Sequence, residues 1–129
     1  MYAFPDIEPE IVSGLSDWID DNTVRVATRK QLPGVTGPAR QVIVTVAMSN
    51  ENTNAPLLRY AGVVIDCYAD DYASASELAY MVESGLRSLT SENIKHVSIT
   101  AGPSRMGEDS GQEHRAISAE VVVQAYDLN

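Results

Sequence analysis

The stretch Arg59–Leu89, RYAGVVIDCYADDYASASELAYMVESGLRSL, decides the fold. It starts with a period of two: Ala61, Val63, Ile65 and Cys67 share one face, and Gly62, Val64, Asp66 and Tyr68 the other. That predicts a strand with one buried face. The period then changes. From Ala75 the apolar residues are Ala75, Leu78, Ala79, Val82, Leu86 and Leu89, the i, i+3, i+4 stripe of a helix. Asp70 and Asp71 stand at the change. A carboxylate there accepts from the free N–H groups of a first helical turn and favours the positive end of the helix dipole. Ser74 and Glu77 have capping-box spacing and offer a second start. The stripe has to bury against something, and the Ala61–Cys67 face is its natural partner.

Working outward, Asp6–Asp21 reads as a first helix. Asp6 is placed to cap it, Glu8, Pro9 and Glu10 suit a first turn, and Ile11, Val12, Leu15, Trp18 and Ile19 form its apolar face. Gly14 and Gly85 each cost helix stability, about 1 kcal/mol against Ala, and are compatible with close helix packing. Thr23–Arg29 alternates, with Val24 and Val26 opposite Arg25 and Arg29. Gln31–Ala39, with two Pro and two Gly, predicts a broad loop. Arg40–Ser49 is a strand joined through Asn50–Pro56 to the organising strand as an antiparallel hairpin. After the second helix, Val97, Ile99 and Ala101 oppose His96, Ser98 and Thr100. Gly102–Arg115 predicts a long polar loop, and Ala116–Tyr126 a final strand with Ile117, Ala119, Val121, Val123 and Ala125 inward.

The order α-β-β-β-α-β-β gives a single α+β domain over residues 1–129. It is a two-layer fold, a mainly antiparallel or mixed sheet with two helices on one face. The other sheet face mixes polar residues with Ile43, Val64, Val122, Tyr68 and Tyr126.

Composition narrows the functional classes. Nine basic against eighteen acidic residues give a formal charge of −9, which opposes wrapping nucleic acid or docking on an anionic membrane. The single cysteine, Cys67, excludes an internal disulfide and lies on the expected core face. No basic, apolar leader opens the chain, and no apolar run approaches a membrane span, so a soluble product made in the cytoplasm is expected.

The chemistry-bearing residues are few. Asp66, Asp70, Asp71 and Glu77 have the oxygen ligands a magnesium ion takes, but capping explains Asp70 and Asp71 better. His96 and His114 are far apart in sequence and read as two unrelated surface residues. There is no G-x-S-x-G elbow and no G-x-x-x-x-G-K loop. One Cys and two separated His do not make a structural zinc site. No catalytic, metal or cofactor site is expected, and the chain does not read as an enzyme. Four of the nine basic residues, Arg25, Arg29, Lys30 and Arg40, flank the Gln31–Ala39 loop. They are either scattered solubilising charges or a contact patch for an acidic neighbour.

Four passages together carry a resemblance. They are the N-terminal helix leading to VRVATRKQLPG, the hairpin ARQVIVTVAMSN with LRYAGVVIDCYADD, the passage YADDYASASELA, and the Gly-Pro late in the next strand, followed by a loop and a last strand. The chain resembles the tail terminator (tail completion) and related neck proteins of long-tailed bacteriophages, especially those of actinobacterial hosts, though Tyr72 stands where Pro is usual. The resemblance implies a structural virion protein in the tail or neck, made in the host bacterial cytoplasm. Its partners would be further copies of itself in a ring, typically a homohexamer, the tail tube protein and the head-tail connector or head-closure protein. DNA would pass through the lumen without specific binding. Polarity and loop length then nominate an assembly interface of Arg25, Arg29, Lys30, Arg40, Asn50, Glu51, Asn52, Arg105, Glu108, Asp109 and Arg115. Another neck or head-closure subunit, a small metal-dependent hydrolase and a ligand-binding domain remain as alternatives.

Overall fold

In this computed structural model, residues 2–31, 39–52, 58–108 and 110–127 are described, with side chains for 3–31, 39–47, 58–108 and 110–125. The elements are β1 (Tyr2–Ala3), α1 (Glu8–Ile19), β2 (Val24–Ala27), β3 (Arg40–Asn52), β4 (Leu58–Ala69), α2 (Tyr72–Arg87), β5 (Ile94–Met106), β6 (Glu113–Gln124) and β7 (Tyr126–Asp127). Five strands form one sheet in the order β2-β3-β4-β6-β5. Only β2 and β3 run parallel; β3–β4, β4–β6 and β6–β5 are antiparallel. The expected α+β order and mixed sheet are therefore present. A separate two-stranded pair, β1 with β7, ties the N-terminal segment to the C-terminal one.

Both helices lie on one side of the sheet. α1 packs against α2, β2 and β3, and α2 against β4, β5 and β6. The core is what the period-two and period-3.6 patterns select. Ile11, Leu15, Leu78, Ala79, Val82 and Leu86 from the helices meet Val42, Val44, Ala61, Val63, Ile65, Cys67, Ile117 and Val121 from the strands. Full burial of each large aliphatic stabilises the fold by roughly 1.5–3 kcal/mol.

α1 starts where Asp6 Oδ1 accepts from the Glu8 N–H at 3.1 Å. It stops at Asp20, whose left-handed backbone (φ 48°) turns the chain out of the helix. α2 is capped by Asp71, which accepts from the Ser74 N–H at 2.8 Å; the alternative start at Ser74 is not used. Trp18 departs from the expected apolar face and is 48% exposed. Its ring lies over Gly85 of α2, where a Cβ would come within 2.8 Å of Trp18 Cδ1. A Cβ on Gly14 would in turn collide with Leu89. The two glycines thus set how closely the helices approach.

The expected loop over Gly102–Arg115 is corrected. β5 continues to Met106 and β6 starts at Glu113, so the connection is only residues 107–112. Gly102 takes a left-handed φ of 89°, the register shifts between Ala101 and Ser104, and pairing resumes with Ser104 opposite Ala116 and Met106 opposite His114. This is a bulge on an edge strand. There Pro103 gives up no ladder bond that the sheet needs.

Candidate functional site

One end of the sheet gathers Lys30, Gln31 and Ala39, the β4–α2 junction at Asp70–Asp71, and residues 107–108 and 110–112 between β5 and β6. Strand direction places them together, because β4 ends, and β3 and β6 begin, at the same edge. Gln112 ties them, its Nε2 donating to the Ala39 carbonyl at 3.0 Å and to Asp70 Oδ1 at 3.2 Å.

On the helix-free face at this end the register aligns Gln41, Tyr68 and His114 across β3, β4 and β6. The Tyr68 and His114 rings stack with centroids 4.4 Å apart. His114 Nε2 is 2.6 Å from Asp66 Oδ1, and its Nδ1 is 3.8 Å from Glu108 Oε2. Lys30 reaches in from the segment after β2. Its Nζ lies 4.0 Å from the Tyr68 ring centroid, 3.6 Å from Glu108 Oε2 and 3.5 Å from Ser110 Oγ. Gln41 is buried and its Oε1 accepts from the Gln31 N–H at 2.9 Å and from Arg25 Nη1 at 3.1 Å. Burial, reinforced by the Asp66 and Glu108 charges, pushes the Tyr68 hydroxyl up to about 12, so it stays protonated.

The opposite, helix-side face of the same end holds a second cluster. Glu113 receives Arg105 in a two-pronged pair (2.8 and 3.1 Å) and Arg115 at 3.1 Å. These hydrogen bonds, Arg105 first, hold the Glu113 carboxyl below the usual range. Arg115 is only 4% exposed. Its Nη2 donates to Ser76 Oγ at 3.3 Å, and its guanidinium lies 4.6 Å from the Tyr72 ring, fixing the start of α2 to the sheet.

The nominated interface residues therefore separate. Arg25, Arg29, Lys30, Arg40, Arg105, Glu108 and Arg115 all belong to the loop end or the strands that lead into it. Arg29 is exposed and its side chain forms no hydrogen bond or ion pair among the described residues; Arg25 Nη1 donates to its carbonyl. Arg40 is engaged by Asp21 Oδ2 at 2.9 Å and Thr23 Oγ1 at 2.8 Å. Asn50, Glu51 and Asn52 extend β3 toward the opposite end; their side chains lie outside the described residues, as do residues 32–38, 53–57 and Asp109.

The expectation that His114 lies in a polar loop is corrected: it stands on β6 and is paired with Asp66. The signal was in the sequence as Asp66 and Tyr68 on the outer face of β4. The partner strand's true start was hidden by the misplaced loop. His96 stays separate, on β5 opposite Val122, eight β6 positions or about 26 Å from His114.

The four carboxylates Asp66, Asp70, Asp71 and Glu77 do not converge on a common point. Asp66 pairs with His114, Asp70 accepts from Gln112, Asp71 caps α2, and Glu77 is exposed on α2. Among the described residues no group of three or more His, Cys, Asp or Glu is arranged to hold a metal ion. A cleft of about 490 Å³ opens beside Asp70, Asp71, Glu108, Glu113 and Arg105, but its charges are already paired or capping. Cys67 is buried, and burial pushes its thiol up to about 12, so it stays an un-ionised core residue. No helix among the described residues is long and apolar enough to cross a membrane.

No protein-family model matches the chain, and no curated protein matches it. Solved structures do. A chain in the virion of a native gene transfer agent (GTA) particle superposes with a TM-score of 0.57 at 16% identity, over 85% of this chain and 84% of that one. At that identity the likeness is one of fold, and it extends over nearly the whole of both chains.

Proposed function

We propose that this chain is a structural virion protein, a tail terminator that caps a phage tail tube as a ring, ends tube polymerisation and forms the joint to the head connector. The observation that carries the reading is the fold shared with a chain of a GTA virion over most of both lengths. The sequence resemblance points the same way. The architecture supports it physically. A joint needs two docking surfaces, and this sheet has unlike ends: the ion-paired loop end and the β3–β4 hairpin end. A ring also requires two different patches that meet head to tail. The chain works without catalysis in this reading, with copies of itself, the tube protein and the connector as partners. A surface carrying −9 lets DNA pass without being held.

The test is tube growth. Light scattering and negative-stain images across a wide concentration range should show six-fold rings, formed alone or on added tubes. Purified tube protein polymerised with this chain should give short capped tubes. Rings that bind the connector while tubes keep growing would instead assign the chain to head closure. Absence of rings and caps in the presence of tubes would overturn both.

A further inference from the structure

We propose that His114 is a protonation-controlled latch that fastens the 107–112 turn to the helix-free face of the sheet. The inference stands on the geometry at the loop end and is independent of the terminator reading.

A carboxylate oxygen only accepts, so the 2.6 Å contact between Asp66 Oδ1 and His114 Nε2 places a proton on Nε2. In the neutral ring Nδ1 then carries the lone pair. That lone pair faces Glu108 Oε2 at 3.8 Å, an acceptor set against an acceptor. Protonation puts a second N–H on Nδ1. The same 3.8 Å contact becomes an ion pair, and the imidazolium bridges Asp66 on β4 to Glu108 after β5.

The setting makes the bridge effective. The His114 side chain is 13% exposed, stacked on Tyr68, and so held in place in both states. Among the described residues, the groups that face it are Asp66 and Tyr68 on β4, Glu108 after β5, and Lys30 from the segment after β2; Met106, opposite it on β5, is uncharged. Glu108 is tied locally as well, its Oε1 accepting from the Ser110 N–H at 3.4 Å. Closing the bridge therefore holds Glu108, and through it Ser110, to the sheet. The sign follows from the contacts: gaining a second proton on His114 strengthens its hold on Glu108, so the turn is held more tightly at lower pH.

Hydrogen exchange of the peptide spanning 107–112, corrected for the intrinsic pH dependence of exchange, tests this on the intact chain. Protection in the wild type should rise roughly fivefold between pH 7.5 and 5.5. Glu108→Gln, which keeps the side chain's shape and removes its charge, should abolish the rise. His114→Gln should also abolish it. Equal protection at the two pH values in the wild type would overturn the latch. So would a rise that persists undiminished in Glu108→Gln. The His114 imidazole nitrogen shifts, read by NMR over the same range, should place the proton on Nε2 at pH 7.5. A proton on Nδ1 would overturn the proposal.

Discussion

Gly102 shows how one backbone angle sets the length of a hairpin. It sits at φ 89°, where L side chains are strained, and a Cβ there would collide with the Ala116 carbonyl and crowd Ser104 N at 3.1 Å. Gly102→Ala should lose about 2–3 kcal/mol of stability in urea unfolding. Gly107, with no positive φ and nothing within 4 Å of where a methyl would stand, is the control: Gly107→Ala should be neutral or slightly stabilising by the same measurement. Cys67 gives a second residue-scale expectation. Its thiol is fully buried between the helices and the sheet and held protonated by that burial. Thiolate is the reactive form, so a maleimide or disulfide reagent at pH 7.5 should leave the native chain unlabelled and label it fully in denaturant. Fast labelling of the native chain would mean the core around Cys67 opens far more often than its packing implies.

At the scale of elements, the α1–α2 seam and the start of α2 carry opposing demands. Alanine is the better helix former at Gly85 by about 1 kcal/mol, yet its methyl would meet Trp18 Cδ1 at 2.8 Å and Leu15 Cδ2 at 3.1 Å. Overpacking of that kind costs about 1–3 kcal/mol, so Gly85→Ala should destabilise despite its propensity. The single Trp18 would report the displaced contact as a shift in fluorescence. The start of α2 depends on two carboxylates. Asp71 is held below its ordinary range by the Ser74 backbone and side-chain hydrogen bonds, and Glu113 by Arg105 and Arg115. A carboxyl depressed in the folded state contributes stability above its unfolded value and loses it as pH falls through the folded one. The melting temperature should therefore drop below about pH 4. Asp71→Asn, an equally good cap, should flatten part of that drop while keeping the helix. Here the limits of the sequence are physical. Asp71, the Ala75–Leu86 stripe and the Ala61–Cys67 face were readable because caps and periodicity are local. The 102–106 end of β5 was not, because Gly102–Pro103 reads as a break unless its edge position and bulge are known. Misplacing that strand moved Arg105, His114 and Arg115 into a loop and hid the Asp66–His114 pair. The β1–β7 pair was equally unreadable, since two-residue strands have no period.

At the scale of the molecule, the question is which charges are left to meet a neighbour. A basic run inside a chain of net charge −9 invites a contact reading, and Arg25, Arg29, Lys30 and Arg40 form that run. The fold engages three of them internally: Arg25 with Gln41, Lys30 with Glu108, and Arg40 with Asp21 and Thr23. Replacing Lys30 and Arg40 would thus disturb the loop end itself and confuse folding with assembly. Arg29 is different. It is exposed at the same end, with its side chain unengaged among the described residues, so a charge change there leaves the intramolecular network intact. In a head-to-tail ring such a cation would face the acidic remainder of the next copy, where desolvation strengthens it and salt weakens it. Arg29→Glu should keep the wild-type melting temperature within about 1 °C. It should also raise the concentration at which rings form by roughly tenfold or more, and added salt should narrow the gap between the two proteins. Light scattering at low and high ionic strength reads both. Identical assembly of Arg29→Glu and wild type at low salt would remove the basic segment from the ring contact and leave the hairpin end to supply it.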